Sequence, residues 1–175
     1  MLDLYKYTDK EIKEIIDSLT IIVDTREKTS HIIEYFDKKK ISYKVKKLDY
    51  GDYSFYIPAN EKLGIMRDIY FDKKVIIEKK GSLEEISGNL TQDRSRLEKE
   101  LSLAPDTKVL LIENASYSDI INNNYNTQYN RKSFLASLHT FWFRYNTPIF
   151  FMSNKEHSGV FIRMYFEYYL KNYLR

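Results

Sequence analysis

Three side chains are spaced for phosphodiester chemistry: Asp52, and 26 residues on, Glu78 with Lys80 at the end of the apolar run Val75-Ile76-Ile77. Residues two apart on a strand point to one face, so Glu78 and Lys80 project together toward whatever Asp52 approaches. Two carboxylates and a lysine are what metal-assisted hydrolysis requires. The carboxylate oxygens are hard donors suited to Mg²⁺ or Mn²⁺, and such an ion offsets phosphate charge and acidifies a bound water. The lysine is a fixed cation that orients that water or meets developing negative charge. In a chain that is 30% charged, a salt bridge or a solvated strand end accounts for the same residues, so the spacing alone leaves both readings open.

The elements that must position these groups can be read from periodicity. Thr8-Asp9-Lys10-Glu11 is a capping box, and Ile12, Ile15, Ile16 and Leu19 follow at helical spacing, so a helix occupies about residues 9–19. A β-branched run to Val23 ends in Asp24, Thr25, Arg26 and Glu27, the pattern of a buried strand delivering polar groups at its edge. A second helix starts near Ser30. Ile41, Tyr43 and Val45 alternate with polar residues as a strand with one wet face, which Gly51-Asp52 interrupts before Tyr53 to Ile57 resume it. Residues 59–73 fit a hairpin arm or a mobile loop. After Lys80, the capping box Ser82-Leu83-Glu84-Glu85 opens one stripe through Leu83, Ile86, Leu90, Leu97 and Leu101, with Ser87-Gly88-Asn89 as its weak point. Val109 to Ile112 form a third buried strand ending in Glu113. An aromatic helix around Phe134 to Tyr145, a fourth strand over residues 147–152 and a closing helix complete the chain. Strands alternating with helices predict an α/β fold, a central mixed sheet with helices on both faces. With no repeat and no linker, the expectation is one domain over residues 1–175: the N-terminal helix, a motif-bearing core at 20–114 and a completion at 115–175.

Composition narrows the function further. The 175 residues are 43% hydrophobic, enough to fill one core, and cysteine is absent, which removes disulfides, cysteine metal sites and a thiol nucleophile. The longest apolar runs are four or five residues, as at 148–152, and Met1-Leu2-Asp3 opens no signal sequence, so a cytoplasmic protein without a membrane partner is expected. The net charge of +3 is too mild to advertise nucleic acid, but residues 115–175 carry seven basic groups against three acidic ones. Aromatics reach 15%, with 16 Tyr.

Taken in order, Val23-Asp24-Thr25-Arg26-Glu27, Gly51-Asp52-Tyr53, Glu78-Lys79-Lys80 with Glu84, and Leu111-Ile112-Glu113 resemble the nuclease domain of the XPF family of structure-specific endonucleases, a branch of the restriction-endonuclease-like superfamily. The resemblance covers about residues 20–114 closely. It implies a restriction-endonuclease-like fold and a Mg²⁺-dependent DNA endonuclease, with Mn²⁺ substituting, that acts on branched, flap or junction DNA in repair or recombination. It makes Asp52 and Glu78, with Asp24, the metal ligands and Lys80 the catalytic lysine. Arg26 and Glu27 join Asp24 at the active site, Glu84 falls on the family's helix acid, and Arg94 or Arg96 on an arginine of the following helix. Lys79 stands where the family has arginine, Glu84 replaces the usual Asp, and residues 58–73 are inserted relative to shorter members. The helix-hairpin-helix module that family members use to hold branched DNA does not follow, which suggests a small phage or mobile-element enzyme. A non-catalytic DNA-binding module, or a nuclease of RNA or of DNA ends, would fit the same fold.

Further residues suggest contacts. Lys38, Lys39, Lys40, Lys44, Lys46 and Lys47 put six lysines into ten residues, a phosphate strip toward Asp52 or simply a solvated helix end and strand face. Lys79, Arg94, Arg96, Arg131 and Lys132 could extend a DNA track. His139 reads as a packed histidine, while His31 and His157 sit at helix starts where capping or exposure is usual. Phe161, Tyr165, Phe166, Tyr168, Tyr169 and Tyr173 exceed what one helix face needs, so the closing helix either pairs two copies or wraps the domain edge with its hydroxyls in water.

Overall fold

The computed structural model describes Leu2, residues 6–28 and residues 30–175. Helix α1 (Asp9–Ser18) begins at the capping box: the Glu11 amide donates to Thr8, and the Thr8 amide donates back to Glu11 Oε2 at 2.7 Å. Among the described residues seven strands follow: β1 (Thr20–Val23), β2 (Tyr43–Val45), β3 (Tyr53–Ile57), β4 (Ile69–Tyr70), β5 (Val75–Lys80), β6 (Thr107–Glu113) and β7 (Ile149–Met152). They form one mixed sheet in the order β2-β1-β3-β5-β6-β7, with β4 added beside β3. Strand β3 runs antiparallel to both β1 and β5, whereas β5, β6 and β7 run parallel. The C-terminal ends of β1, β5 and β6 and the start of β3 therefore meet at one edge. That is where the sequence puts its acids.

Helices cover both faces. Strand β6 displays the division, because Val109 and Leu111 pack with α1, α2 (Ser30–Lys39) and α7 (Ser158–Tyr173), while Leu110 and Ile112 pack with the other layer. That second layer is α3 (Leu83–Thr91), α4 (Arg94–Leu103), α5 (Tyr117–Ile121) and α6 (Arg131–Tyr145). Its hydrophobic cluster takes sheet residues from β6 and β7 alone, so it does not extend over the β2-β1-β3-β4 half. Among the described residues, no helix is long and apolar enough to cross a membrane.

Several local expectations change. Tyr43–Val45 and Tyr53–Ile57 are not one interrupted strand; they pair with opposite edges of β1, the first parallel and the second antiparallel. Residues 58–73 form a hairpin arm: β4 pairs with Tyr56 and Ile57, and Phe71 stacks on Phe55 at 4.4 Å in the first core. The stripe from Leu83 to Leu101 breaks at Gln92-Asp93 rather than at Gly88. A side chain at Gly88 would meet nothing, whereas Thr91 bonds back to the Ser87 carbonyl and Asp93 takes the N-cap position of α4. His139 is exposed, its Nε2 3.0 Å from the Tyr117 hydroxyl. The lysine strip also divides. Lys38 and Lys39 end α2 on the first face, where they complement the helix dipole, while Lys44 alternates to the other face.

Candidate active site

The site begins with Gly51. Its φ of +72° lies in the left-handed region, and a Cβ there would stand 2.8 Å from Ile76 Cδ1 and 3.0 Å from the Ile77 carbonyl oxygen. Glycine lets the chain turn tightly against β5. The Asp52 amide then donates to the Ile77 carbonyl at 2.8 Å, and the Asp24 amide to the Asp52 carbonyl at 2.8 Å, so three strands are laced together at the carboxylates. On β5, Ile76, Glu78 and Lys80 alternate to the second face while Val75 and Ile77 enter the first core. Asp52, Ser54 and Tyr56 share that second face by the same period. A cleft of about 220 Å³ opens there, lined by Arg26, Asp49, Asp52, Glu78, Lys80 and, from α4, Arg96 and Glu100 among others.

Charge is concentrated and poorly solvated. Lys80 Nζ lies 3.0 Å from Glu78 Oε1, with both side chains close to buried. Burial, and then the charge of Glu78, push Asp52 up to about 8, although the Lys79 amide donates to its Oδ2 at 2.7 Å. Burial also raises Glu78, against the pull of Lys80, and Glu100 adds to the rise. Lys80 is pulled down by burial, but the Glu78 carboxylate and its hydrogen bond outweigh this and leave it raised and charged. An Asp52 that keeps its proton at neutral pH, beside a Glu78 whose burial also disfavours its charge, is a donor set that a divalent cation would relieve. Among the described residues, no trio of acidic or histidine side chains converges closely enough to cage an ion. A pair suits Mg²⁺, which keeps several waters and takes one or two carboxylates. Asn89 of α3 lines the same cleft, and its side-chain oxygen is buried without a protein partner, as an atom awaiting water would be. The residues present therefore fit a hydrated hard cation.

Not every residue singled out in the sequence arrives here. Asp24 is fully buried with both oxygens engaged: Oδ1 accepts from the Arg26 amide and Nε, and Oδ2 from the Leu48 amide at 2.6 Å. Burial would raise it, but these bonds hold it below the ordinary aspartate value. It props Arg26, whose guanidinium is exposed at the cleft, and three protein donors already occupy its two oxygens. Lys79 points to the opposite face. Its Nζ sits 3.6 Å from Glu27 and 3.7 Å from Glu113, which is itself 2.8 Å from His31 Nε2. Lys79 thus braces the strand ends from behind instead of facing DNA, and His31 ties α2 to β6 instead of capping it. The period of two already separates Lys79 from Glu78 and Lys80. Glu27 stands near enough to add to the rise of Asp52.

Glu84 is exposed, accepts from the Asn126 amide at 2.9 Å, and borders a different depression beside Thr127. Glu85, one residue on, comes within 4.0 Å of Lys80. Arg96 lines the cleft and pairs with Glu100, whereas Arg94 turns to α6, bonding Ser137 and lying 5.0 Å over the Phe141 ring. Arg131 donates to the Ile121 carbonyl at the start of α6, outside the cleft lining with Lys132. Lys47 is exposed and Lys46 lies over Tyr70. Glu100 and Asn89 escaped sequence reasoning, because only the crossing of α3 and α4 over β5 brings them to Asp52.

A mixed sheet with helices on both faces carries an acid–acid–lysine cluster where its strand ends meet, and the α/β architecture matches that of XPF nuclease structures. Residues 23–165 match the ERCC4 domain, and the chain belongs to that family. It is similar to the solved structure of XPF from Aeropyrum pernix, at 15% identity and a TM-score of 0.59 over 88% of this chain and 60% of that one. The same protein in complex with DNA gives 16% identity and a TM-score of 0.63, over 87% of this chain and 66% of the other. The chain thus spans less than two thirds of the length of those relatives, and at such identities the likeness is one of fold. No curated protein matches the sequence.

Proposed function

We propose that this protein is a divalent-metal-dependent DNA endonuclease selective for branched, flap or junction DNA. What carries the reading is the convergence of Asp52, Glu78 and Lys80 on one wall of a cleft, with both carboxyls raised by burial. Asp52 and Glu78 would hold Mg²⁺ or Mn²⁺, which when bound supplies phosphate charge neutralisation and an acidified water. Lys80, held charged by Glu78, would direct its ammonium at the attacking oxygen and at the negative charge that develops on the phosphoryl oxygens. Arg26, aligned by Asp24, offers its guanidinium to the phosphate next to the scissile one. Membership of the ERCC4 family and the DNA-bound relative support the choice of DNA. Repair or recombination in a cytoplasmic compartment is the setting proposed.

The test is a panel of labelled single-stranded, duplex, flap and four-way DNAs in Mg²⁺ and Mn²⁺. Asp52→Ala and Lys80→Ala should each lower cleavage by about 100-fold or more while folding normally. Metal-dependent cutting that survives both substitutions would remove the assignment. DNA binding without cutting in any metal would leave a binding module. We also propose a homodimer through β7 and α7, because β7 is an edge strand of four apolar residues whose Phe150 remains 43% exposed beside Phe161.

A further inference from the structure

The hydrophobic cluster of α3 to α6 stops short of the β2-β1-β3-β4 half of the sheet on the face that carries the catalytic side chains; Ile22 and Ser54 are buried there, while Tyr56 and Tyr70 are half-buried and Lys44 is exposed. Register fixes the shared face. Along β3, Asp52, Ser54 and Tyr56 alternate to one side; Tyr70 of β4 is directly opposite Tyr56, and Lys44 of β2 lies beside Ile22 of β1 on that side. Tyr56 and Tyr70 stack with ring centroids 5.1 Å apart and 21° between planes. Lys46, whose amide donates to the Val23 carbonyl at the cleft end of β1, holds its ammonium 3.8 Å over the Tyr70 ring, and Lys44 lies 5.9 Å over Tyr56. Arg67 adds a guanidinium beside Tyr70, in a shallow depression on the hairpin arm. Tyr56 lies about 13 Å along the strand from Asp52, at the usual rise per residue.

Stacked rings with interleaved cations have one chemical match, a flexible polyanion that carries its own flat rings. A duplex hides its base faces and would use only the lysines; an acidic peptide would leave the rings unused. We propose that the Tyr56–Tyr70 pair with Lys44 and Lys46 is a docking platform for an unpaired DNA strand leaving the cleft, the bases stacking on tyrosine and the phosphates replacing the rings as partners of the lysines. The platform rests on the nuclease reading only for its direction from Asp52. Tyr70 comes from the arm of residues 58–73, so the inserted segment completes the platform.

The experiment measures binding in Ca²⁺, without relying on cleavage. Full-length protein is titrated against fluorescent oligothymidylate, oligouridylate and a blunt duplex of equal length. Tyr70→Ala should weaken oligothymidylate binding about tenfold or more, the loss of one base–ring stack, and change duplex binding less than twofold, while Tyr70→Phe keeps wild-type affinity. Lys44→Gln with Lys46→Gln should flatten the slope of log affinity against log salt by about 0.7 for each lysine. Should Tyr70→Ala fail to fold, a 5-iodouracil strand crosslinked to the wild-type protein should attach at Tyr56 or Tyr70. Unchanged oligothymidylate binding in Tyr70→Ala, equal losses on the duplex, tighter wild-type binding to oligouridylate, or crosslinks confined elsewhere would each overturn the proposal. Strand binding with no cleavage in any metal would instead sink the nuclease reading and leave the platform standing.

Discussion

Asp52 and Glu78 are held apart from water and close to each other's charge, and this gives the metal-free protein a pH dependence with a definite sign. Asp52 is pushed up to about 8 in the folded chain, first by burial and then by Glu78, against about 3.9 when unfolded. Between those values the unfolded chain has released the proton and the folded chain has kept it, so unfolding becomes easier as pH rises. Melting temperatures in EDTA should fall from about pH 5 to about pH 8 and then level. Asp52→Asn should reduce that fall and raise the melting temperature at the alkaline end. A metal-free melting temperature that climbs over this interval would refute the electrostatic description. Because a cation displaces the same proton, Mn²⁺ affinity should tighten over the same interval. Asp24 behaves oppositely, held low by Arg26 and Leu48, and titrates below this window.

At the scale of elements, Gly51 is the joint on which the site depends. Gly51→Ala would force a side chain into a left-handed backbone and set its Cβ 3.0 Å from the Ile77 carbonyl, which cannot turn away because the Asp52 amide binds it. The strain should cost about 1–3 kcal/mol of stability by chemical denaturation. Cleavage should fall by more than that destabilisation explains, because relief moves Asp52 relative to Glu78; a variant with reduced stability and full activity would contradict the role. The need for a turn at Gly51 was legible, as were the apolar runs of β1, β5 and β6 with charge at their ends, the capping box at Thr8 and the N-cap at Ser82, since these are local patterns; the box expected at Ser82 is only half made, because the Glu85 carboxylate takes the Gly81 amide in place of the Ser82 amide. What the sequence hid is long-range. No spacing along the chain says that β2 and β3 flank β1 on opposite sides, or that Glu100 faces Glu78. The family resemblance offered Asp24 as a ligand, and it is the long-range Leu48 amide on its second oxygen, with Arg26 on the first, that makes it a prop. Lys79 and Lys38 show the intermediate case, where periodicity carried the answer once each residue was assigned to a strand face or helix end.

At the scale of the molecule, the sheet has two ends with different chemistry. The β2 end is basic and aromatic and opens toward the cleft; the β7 end offers Ile149–Met152, four uncharged residues with one edge unpaired among the described strands. A flat apolar edge invites pairing unless it is covered. Beside it, Val160, Met164 and Tyr168 of α7 are exposed, and Phe150 packs on Phe161 at 4.3 Å. Light scattering at micromolar concentration should give twice the 21.1 kDa of one chain, and Phe150→Lys with Met164→Glu should return it to one. Because β7 and β2 are opposite edges of one sheet, pairing through β7 leaves the tyrosine–lysine face open in both copies. The monomeric variant should therefore bind a short unpaired strand with wild-type affinity per chain. Wild-type protein that is monomeric at micromolar concentration would remove the dimer, and loss of strand binding together with dimerisation would mean that the two ends of the sheet are not independent surfaces.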